Sequence, residues 1–415
     1  MLKVKIEHAS IYGFLIGITI FALVFGYLAY FPSSSFGQAV IKTDGVNALK
    51  QTSIAEFSNG QKIDASGIKQ APEFNKTGSS VNINNNSQPL TMAGLKGKVV
   101  LVNFWTYSCI NVLRTLPYLI DWNAKYADKG LVIVGVHAPE FEFEKNIDNV
   151  KNALQRYDIR YPVIQDNDHK IWNAYGNNYW PRMYLADDKG FIRYDKIGEG
   201  DYNQTEKVIQ SLLSERNANK GIKNVDNGNT TFPYENKSLF NSKNNISKFL
   251  AQSVDSSKIK TPELYFGNQS SSSSLGNPQG FHLGQTVTYS LPSPNSTIKP
   301  NALYLEGQWA NNDDNVELQS DTGRILLNYS AKAVNLVAGD GDGDGDGESQ
   351  GTVYDDNSLL SSISKGVDIK NDSKFIIDGP RLYNIVNHPS YSGGAHSLLI
   401  DIKGKGFQAY VFTFG

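Results

Sequence analysis

One stretch of the sequence constrains the fold more than any other, the run KVVLVNFW at residues 98–105. Its apolar, largely β-branched residues are nearly continuous, which is typical of a strand that is buried on both faces. Strands of this kind belong to sheets whose parallel crossovers place helices over both faces. The run therefore predicts an α/β domain.

Strand and helix patterns alternate after this run. Leucines at helical spacing predict a helix over 110–128, kinked at Pro117. The later elements are predicted to be a buried strand at 131–137, a helix at 145–157, a strand at 161–164, a helix at 169–175, a hairpin of 182–187 with 191–198, and a helix at 203–214. This order indicates an α/β sandwich with parallel crossovers over 89–215.

The second half of the chain has a different pattern. An Asn-, Lys- and Ser-rich segment, 216–260, is predicted to be a linker. Beyond it, over 261–415, stretches such as NALYLEGQWA and FQAYVFTFG are β-rich or alternating, and regular turn signals separate them. This pattern predicts an antiparallel β-sandwich of about eight strands.

The N-terminal region predicts a membrane anchor. Residues 10–31 carry no formal charge, and at ~1.5 Å per residue a helix of this length spans about 33 Å, enough to cross a bilayer. Lys3 and Lys5 precede it, so the positive-inside rule places residues 1–9 in the cytoplasm and the bulk of the chain outside. A spacer at 32–88 follows. The alternative is a cleaved signal peptide, and in either case most of the chain is exported.

Composition excludes several function classes. The 39 basic and 41 acidic residues give a net charge of −2, which provides no general attraction for nucleic acid. Cys109 is the one cysteine, so an intramolecular disulfide and a cysteine-rich zinc site are excluded. No cofactor or metal is predicted. The acidic run at 339–348 reproduces half of an EF-hand loop but lacks its final glutamate, and we interpret it as a flexible hairpin loop.

Cys109 lies where the predicted helix begins, after the buried strand and a short loop. The free N–H groups and the dipole of a helix N-terminus favour a thiolate, so Cys109 is a candidate nucleophile; the alternative is a small buried apolar residue. His137 and Glu140 follow the second strand and can reach the same sheet edge, where a base assists thiolate formation. The alternative is that this pair only satisfies local hydrogen bonds.

The stretch VVLVNFWTYSCINVLRTLPYLIDW (99–122) resembles thioredoxin-fold proteins of the exported thiol–disulfide oxidoreductase group, most closely the soluble part of DipZ-type proteins. Further similar segments follow in the same order, at 135–145, 161–168, 179–194 and 198–202. The resemblance implies a thioredoxin-like fold with Trp105 and Cys109 at the active-site loop. It also implies that Pro181 is a cis proline that faces the cysteine.

The sequence departs from this family at the resolving cysteine. The family motif Cys-x-x-Cys reads Cys109-Ile110-Asn111-Val112 here. Exchange passes through a mixed disulfide that a second thiol must cleave, so two-cysteine cycling within this chain is excluded. Three hypotheses remain. They are a monothiol exchange protein whose partners are cysteine-containing exported proteins or an external thiol reductant, a one-cysteine peroxidase suggested by Thr106 before the cysteine, and a degenerate scaffold or binding module.

Residues 261–415 resemble the terminal domain of DipZ-type proteins, which is carbohydrate-binding-module-like. The resemblance implies a jelly-roll-like sandwich with a cell-surface glycan as a further partner. The candidate sugar-stacking residues are Trp309, Tyr304, Tyr383 and Tyr391. Aromatic residues in such sandwiches are, however, more often part of the core. The family's polytopic membrane part is replaced here by a single predicted anchor, so the reductant either comes from a separate protein or is absent.

Overall fold

The computed structural model describes residues 69–74, 79–81, 90–221, 254–268, 274–293, 297–341, 349–370 and 372–415. All of them belong to one compact unit, Ser53–Gly415. The predicted anchor, most of the predicted spacer and most of the acidic run lie outside the described residues. Within the described ranges, no helix is both long and apolar enough to cross a membrane.

The first domain is built on a six-stranded mixed sheet. Its strands are β1 (Ser80–Val81), β2 (Val99–Trp105), β3 (Leu131–His137), β4 (Val163–Gln165), β5 (Arg182–Ala186) and β6 (Ile192–Ile197). They lie in the order β1–β4–β3–β2–β5–β6. β3 pairs in parallel with both β2 and β4, and the remaining pairs are antiparallel. The predicted parallel crossovers and the hairpin of β5 with β6 are confirmed.

The buried strand predicted at 98–105 is confirmed, because every residue of β2 is buried. Val100, Val102 and Phe104 join an apolar cluster on one face of the sheet. The alternate residues of β2, which include Leu101 and Trp105, join a second cluster on the other face. The period of two residues expected for a strand therefore supplies both layers of the core.

Five helices are described in this domain: α1 (Ile110–Leu113), α2 (Leu116–Tyr126), α3 (Ile147–Arg156), α4 (Lys170–Ala174) and α5 (Tyr202–Asn219). The single kinked helix predicted over 110–128 is wrong, because the helix stops after Leu113 and restarts at Leu116. Pro117 has no N–H to donate to the carbonyl of Leu113, four residues earlier. It lies instead in the first turn of α2, where a backbone N–H would have no partner within the helix, so proline is tolerated there.

The limits of this domain extend into segments predicted as spacer and linker. Ser80 and Val81 of the predicted spacer pair with β4 at the sheet edge. Gln70 forms a bridge with Phe191. At the other end, α5 continues to Asn219, past the predicted start of the linker.

The second domain is a single antiparallel sheet of twelve described strands. They are β7 (Leu264–Tyr265), β8 (Thr286–Tyr289), β9 (Leu303–Asn311), β10 (Val316–Leu318), β11 (Thr322–Tyr329), β12 (Ala333–Asp340), β13 (Gln350–Asp355), β14 (Ser358–Leu359), β15 (Lys374–Ile376), β16 (Arg381–Asn387), β17 (His396–Lys403) and β18 (Phe407–Phe414). β9 pairs with β11 in its first half and with β10 in its second half, so the sheet curls. An apolar cluster forms its core.

The all-β prediction for this domain is confirmed, and the predicted number of about eight strands is too low. Four of the twelve described strands, β7, β10, β14 and β15, are only two or three residues long. Alternation of apolar and polar residues is not recognisable over so short a length.

Candidate functional site

Cys109 caps the N-terminus of α1, as the sequence predicts. Its backbone is extended, with φ −82° and ψ 119°, and its carbonyl accepts a hydrogen bond from Leu113 N at 3.0 Å. The backbone N–H groups of Val112 and Asn111, in the first turn of α1, lower the thiol pKa, although the sulfur makes no side-chain capping hydrogen bond. The electrostatic assistance expected at a helix N-terminus is therefore present.

Other features of the surroundings outweigh this assistance. Burial raises the pKa of the Cys109 thiol well above its ordinary value, and the carboxylates of Glu140 and Glu263 raise it further. A thiolate loses its hydration in such a place and is repelled by neighbouring negative charge. The net direction of the thiol pKa is therefore upward, because the effect of burial exceeds that of the two N–H groups, and activation of Cys109 by the helix N-terminus stays a prediction.

Three side chains near the sulfur form what we call the Tyr265 cluster: Glu140, Glu263 and Tyr265. The Tyr265 hydroxyl lies 2.8 Å from Oε1 of Glu140 and 3.2 Å from Oε2 of Glu263. Burial and the charge of Glu144 raise the pKa of Glu140 to about 8. Of this cluster the sequence pointed only to Glu140, because no local pattern reveals which residues of a second domain pack onto the site.

The second domain packs directly beside the cysteine loop. The ring of Tyr410 lies 5.2 Å from the ring of Phe141 and 4.7 Å from that of Phe143, measured between centroids. Val337 and Leu382 of the second domain also join the same apolar cluster as Leu101 and Trp105. The core of the first domain is therefore continuous with the second domain at this face.

Glu144 holds the cysteine loop in place and was not predicted. It is fully buried, and one carboxylate oxygen accepts hydrogen bonds from Thr106 Oγ1 and, at 2.6 Å, from Ser108 Oγ. The other oxygen accepts from the N–H of Glu140 at 2.6 Å and of Phe141 at 3.1 Å. We call this arrangement the loop anchor. The available signal was a pair of buried hydroxyl residues beside the cysteine, which need an acceptor.

Trp105 and His137 belong to the core beneath the loop. His137 is fully buried, with its ring 5.2 Å from that of Trp105 and stacked at 5.5 Å on that of Tyr107. Burial lowers the pKa of His137 to about 3, so the imidazole is neutral at physiological pH. A Cβ added at Gly135 would lie 2.9 Å from the Trp105 indole nitrogen, so the strand needs glycine there. The described ring contacts of His137 indicate packing and not base catalysis.

The peptide bond between Trp180 and Pro181 is cis, in agreement with what the resemblance implies. The indole nitrogen of Trp180 donates to the carbonyl of Ala138 at 3.0 Å, and Ala138 N donates to the carbonyl of Trp105 at 3.1 Å. The loops after β2, after β3 and before β5 therefore meet at one edge of the sheet. That Pro181 faces Cys109 stays a prediction.

Arg114 is a further residue that sequence reasoning missed. Its guanidinium donates to both carboxylate oxygens of Glu199 at 2.8 Å and to Oδ1 of Asn111 at 2.7 Å. Its positive charge also lowers the pKa of Glu263 in opposition to burial. Arg114 thus connects the helix that carries Cys109 with the loop before α5. Val112, at the resolving position, is fully buried.

The predicted sugar-stacking residues are mostly core residues. Trp309, Tyr304 and Tyr383 are each no more than 3% exposed, so their ring faces are not available to a ligand. Tyr391 is partly exposed. The physical reason is that a curled sheet fills its interior with large aromatic side chains.

Comparison with known proteins assigns both domains. Residues 67–213 match the family described as Redoxin, and residues 261–415 match the family described as thioredoxin-like C-terminal domain. The chain is 35% identical over 253 residues to Protein DipZ of Mycobacterium bovis, covering 61% of this chain and 33% of that protein. It thus spans about a third of this relative's length.

Two shorter relatives are covered over most of their length. The thiol–disulfide oxidoreductase ResA of Bacillus cereus is 31% identical over 156 residues, covering 38% of this chain and 83% of that protein. The thiol–disulfide oxidoreductase YkuV of Bacillus subtilis is 30% identical over 118 residues, covering 28% of this chain and 79% of that protein.

Proposed function

This chain belongs to the thioredoxin-like family of thiol–disulfide oxidoreductases, and we propose that it acts in thiol–disulfide exchange through Cys109 alone. The observation that supports this most is the position of Cys109 at the N-terminus of α1, in the loop after β2. The backbone N–H groups of Asn111 and Val112 favour the thiolate there, because they lower the thiol pKa. The arrangement keeps the attacking half of the motif.

In the proposed reaction, the Cys109 thiolate attacks one sulfur of a partner disulfide. The partner's S–S bond breaks, a new S–S bond joins Cys109 to the partner, and the second partner sulfur leaves as a thiolate that takes up a proton. Val112 offers no thiol to cleave this bond. The mixed disulfide therefore persists until an external thiol attacks it and restores the Cys109 thiol. The proposed partners are exported proteins with reactive cysteines.

The raised pKa of the Cys109 thiol limits the rate of this reaction. Only the thiolate attacks a disulfide, and burial together with Glu140 and Glu263 keeps its fraction small. Exchange is accordingly slow at neutral pH and accelerates as the pH rises. The same observation favours the second candidate function, a binding module in which Cys109 does not react.

The peroxidase hypothesis has less support than exchange because its one sequence signal, Thr106, has another role. The Thr106 hydroxyl, on which that hypothesis rested, donates to the buried Glu144 carboxylate. Glycan binding by the second domain has little support, because three of its four aromatic candidates are buried.

We also propose that residues 10–31 anchor the chain in a membrane with the described domains on the extracytoplasmic side. The support is the uncharged apolar run and the two lysines before it. Protease added to intact cells tests this arrangement. Removal of the two domains supports it, and protection until the cells are lysed contradicts it.

Intact-protein mass spectrometry after incubation with oxidised glutathione tests the exchange proposal. We expect the native chain to accumulate one glutathione, at a rate that increases with pH, and to lose it on addition of dithiothreitol. Cys109→Ser is expected to gain none. If the native chain stays unmodified while the urea-unfolded chain takes up glutathione, the chain is a binding module and the exchange proposal fails.

A further inference from the structure

Four strand ends meet at one rim of the second domain and bring together residues that are distant in sequence. Tyr329 ends β11, Asp355 ends β13, and His396 begins β17. Tyr329 and His396 are opposite each other in the pairing of β11 with β17. His388 follows β16, and its N–H donates to the carbonyl of Lys332 at 2.8 Å. The sheet therefore positions these side chains.

Three of these side chains are spaced like the ligands of one metal ion. Asp355, His388 and His396 each offer a ligand atom within 4.8 Å of the other two. Oδ2 of Asp355 lies 3.3 Å from Nε2 of His388. A tetrahedral zinc site with bonds of about 2.0–2.1 Å separates its ligand atoms by roughly 3.4 Å. The distances between the three ligand atoms here, at most 4.8 Å, are within about 1.5 Å of that value.

The surrounding groups orient these ligands as in a metal site. The Tyr329 hydroxyl donates to Oδ1 of Asp355 at 2.9 Å and also lies 2.9 Å from Nε2 of His388, so it contacts two of the three ligand residues and leaves Oδ2 of Asp355 for an ion. Oδ2 of Asp356 lies 2.8 Å from Nδ1 of His396. Nε2 of the same ring is buried without a hydrogen-bond partner among the described residues. Metal-binding histidines commonly donate one nitrogen to a carboxylate and give the other to the ion.

The donor set selects a class of ion. Imidazole nitrogens suit zinc and neighbouring divalent transition metals, whereas calcium and magnesium take oxygen ligands. The side chains of Asp355, His388 and His396 are only 10%, 12% and 17% exposed, so the site is shielded from bulk water and still reachable by an ion. The negative charge of Asp355 partly balances a dication.

We propose that Asp355, His388 and His396 form a binding site for a divalent transition-metal ion of the zinc class, with Tyr329 and Asp356 orienting the ligands. The bound ion joins β13 and β17 to the residue that follows β16, and so stabilises this rim of the second domain. The site contains no cysteine, and its metal binding is independent of the thiol chemistry of Cys109.

Isothermal titration calorimetry tests this proposal. Zinc chloride is added to the full-length chain after treatment with a chelator, and the heat of binding gives the affinity and the number of zinc ions bound. We expect one strongly bound Zn²⁺ per chain. The double variant His388→Ala with His396→Ala is expected to bind at least about 100-fold more weakly at this site. His282→Ala is the matched control, because His282 is an exposed histidine of the same domain whose described contact is with the carbonyl of Gln279. It should bind as the unaltered chain does.

Thermal unfolding with and without zinc provides the second measurement. Zinc should raise the melting temperature of the unaltered chain and of Cys109→Ser, and should leave that of the double variant unchanged. Asp355→Asn keeps the side-chain shape, removes the charged ligand and serves if the double variant does not fold. Absence of stoichiometric zinc, or equal binding by the unaltered chain and the variants, would overturn the proposal.

Discussion

The loop anchor and the Tyr265 cluster contain two carboxylates only four residues apart, the fully buried Glu144 and the partly buried Glu140, in contrasting environments. Glu144 accepts hydrogen bonds from two hydroxyls and two backbone N–H groups. The side chain of Glu140 accepts a hydrogen bond from the Tyr265 hydroxyl and lies near two further acids, Glu144 and Glu263. The first environment fixes the position of the cysteine loop, and the second opposes ionisation of the thiol.

This contrast separates the scaffold of the site from its chemistry. The buried anchor, the cis Trp180–Pro181 bond and the bidentate pair of Arg114 with Glu199 all support the loop. The site departs from the family motif at the resolving position, where the buried Val112 replaces a cysteine and its thiol is missing. Under the proposed function, incomplete redox cycling follows from one side chain on an intact scaffold.

The largest effect is expected from Glu144→Ala, which removes the acceptor at the centre of the loop anchor. Three of its four donors are fully buried, and leaving such a group unsatisfied costs about 1–3 kcal/mol, so the free energy of unfolding should fall by at least about 3 kcal/mol. Urea unfolding measures this. Glu142→Ala, an exposed neighbour paired with Lys145, should change stability by less than about 0.5 kcal/mol. Equal effects of the two variants would contradict the role of the anchor.

Tyr410→Ala should have the next largest effect, because it removes the ring that packs against Phe141 and Phe143. Loss of a buried aromatic side chain costs about 3 kcal/mol, and here it also opens the face beside the cysteine loop. We expect faster alkylation of Cys109 by iodoacetamide together with lower stability in urea. Tyr410→Phe keeps the ring and should alkylate at the rate of the unaltered chain. An alkylation rate unchanged in Tyr410→Ala would show that this packing does not shield the thiol.

A smaller and pH-dependent effect is expected from Glu140→Gln. Because the pKa of Glu140 is about 8, its carboxylate is mostly ionised above that pH and there opposes the Cys109 thiolate. Removal of this charge should lower the thiol pKa and raise the alkylation rate above pH 8 by about three- to tenfold. Below pH 7 the two chains should react at nearly equal rates. Glu142→Gln is the control, and slower alkylation of Glu140→Gln above pH 8 would refute the assignment.

The smallest effect should come from Arg156→Ala. Arg156 of α3 pairs with Asp378 of the second domain at 3.0 Å, and both side chains are partly exposed. Exposed ion pairs contribute little, so unfolding in urea should shift by less than about 1 kcal/mol. A loss as large as that of Tyr410→Ala would mean that the ion pair, and not aromatic packing, holds the two domains together.

The sequence predicted the first domain well because its strands and helices bury local, periodic patterns. β3 spans Leu131–His137, as predicted, and α3 lies within the predicted 145–157. The break at Arg114 and Thr115 was missed, although Pro117 marked the place. A proline at this position is compatible either with a kinked helix or with the start of a new helix, and tertiary packing decides between the two.

The site was predictable only as far as it is local in sequence. Cys109 and its helix N-terminus follow from adjacent residues. The raised thiol pKa depends instead on burial and on Glu263, which lies over 150 residues from Cys109 in the sequence. Tyr265 and Tyr410 reach the cysteine loop through contacts between domains, which no periodic pattern reports. The convergence of Asp355, His388 and His396 depends likewise on strand order.

Replacement of Val112 by cysteine tests the central claim most directly. The measurement is the lifetime of the Cys109–glutathione mixed disulfide, followed by mass spectrometry after excess oxidised glutathione is removed. The account predicts that the adduct persists in the unaltered chain and in Val112→Ala, and that Val112→Cys releases glutathione and forms an internal disulfide. A folded Val112→Cys chain that keeps its adduct as long as the unaltered chain would contradict an intact scaffold with one missing thiol.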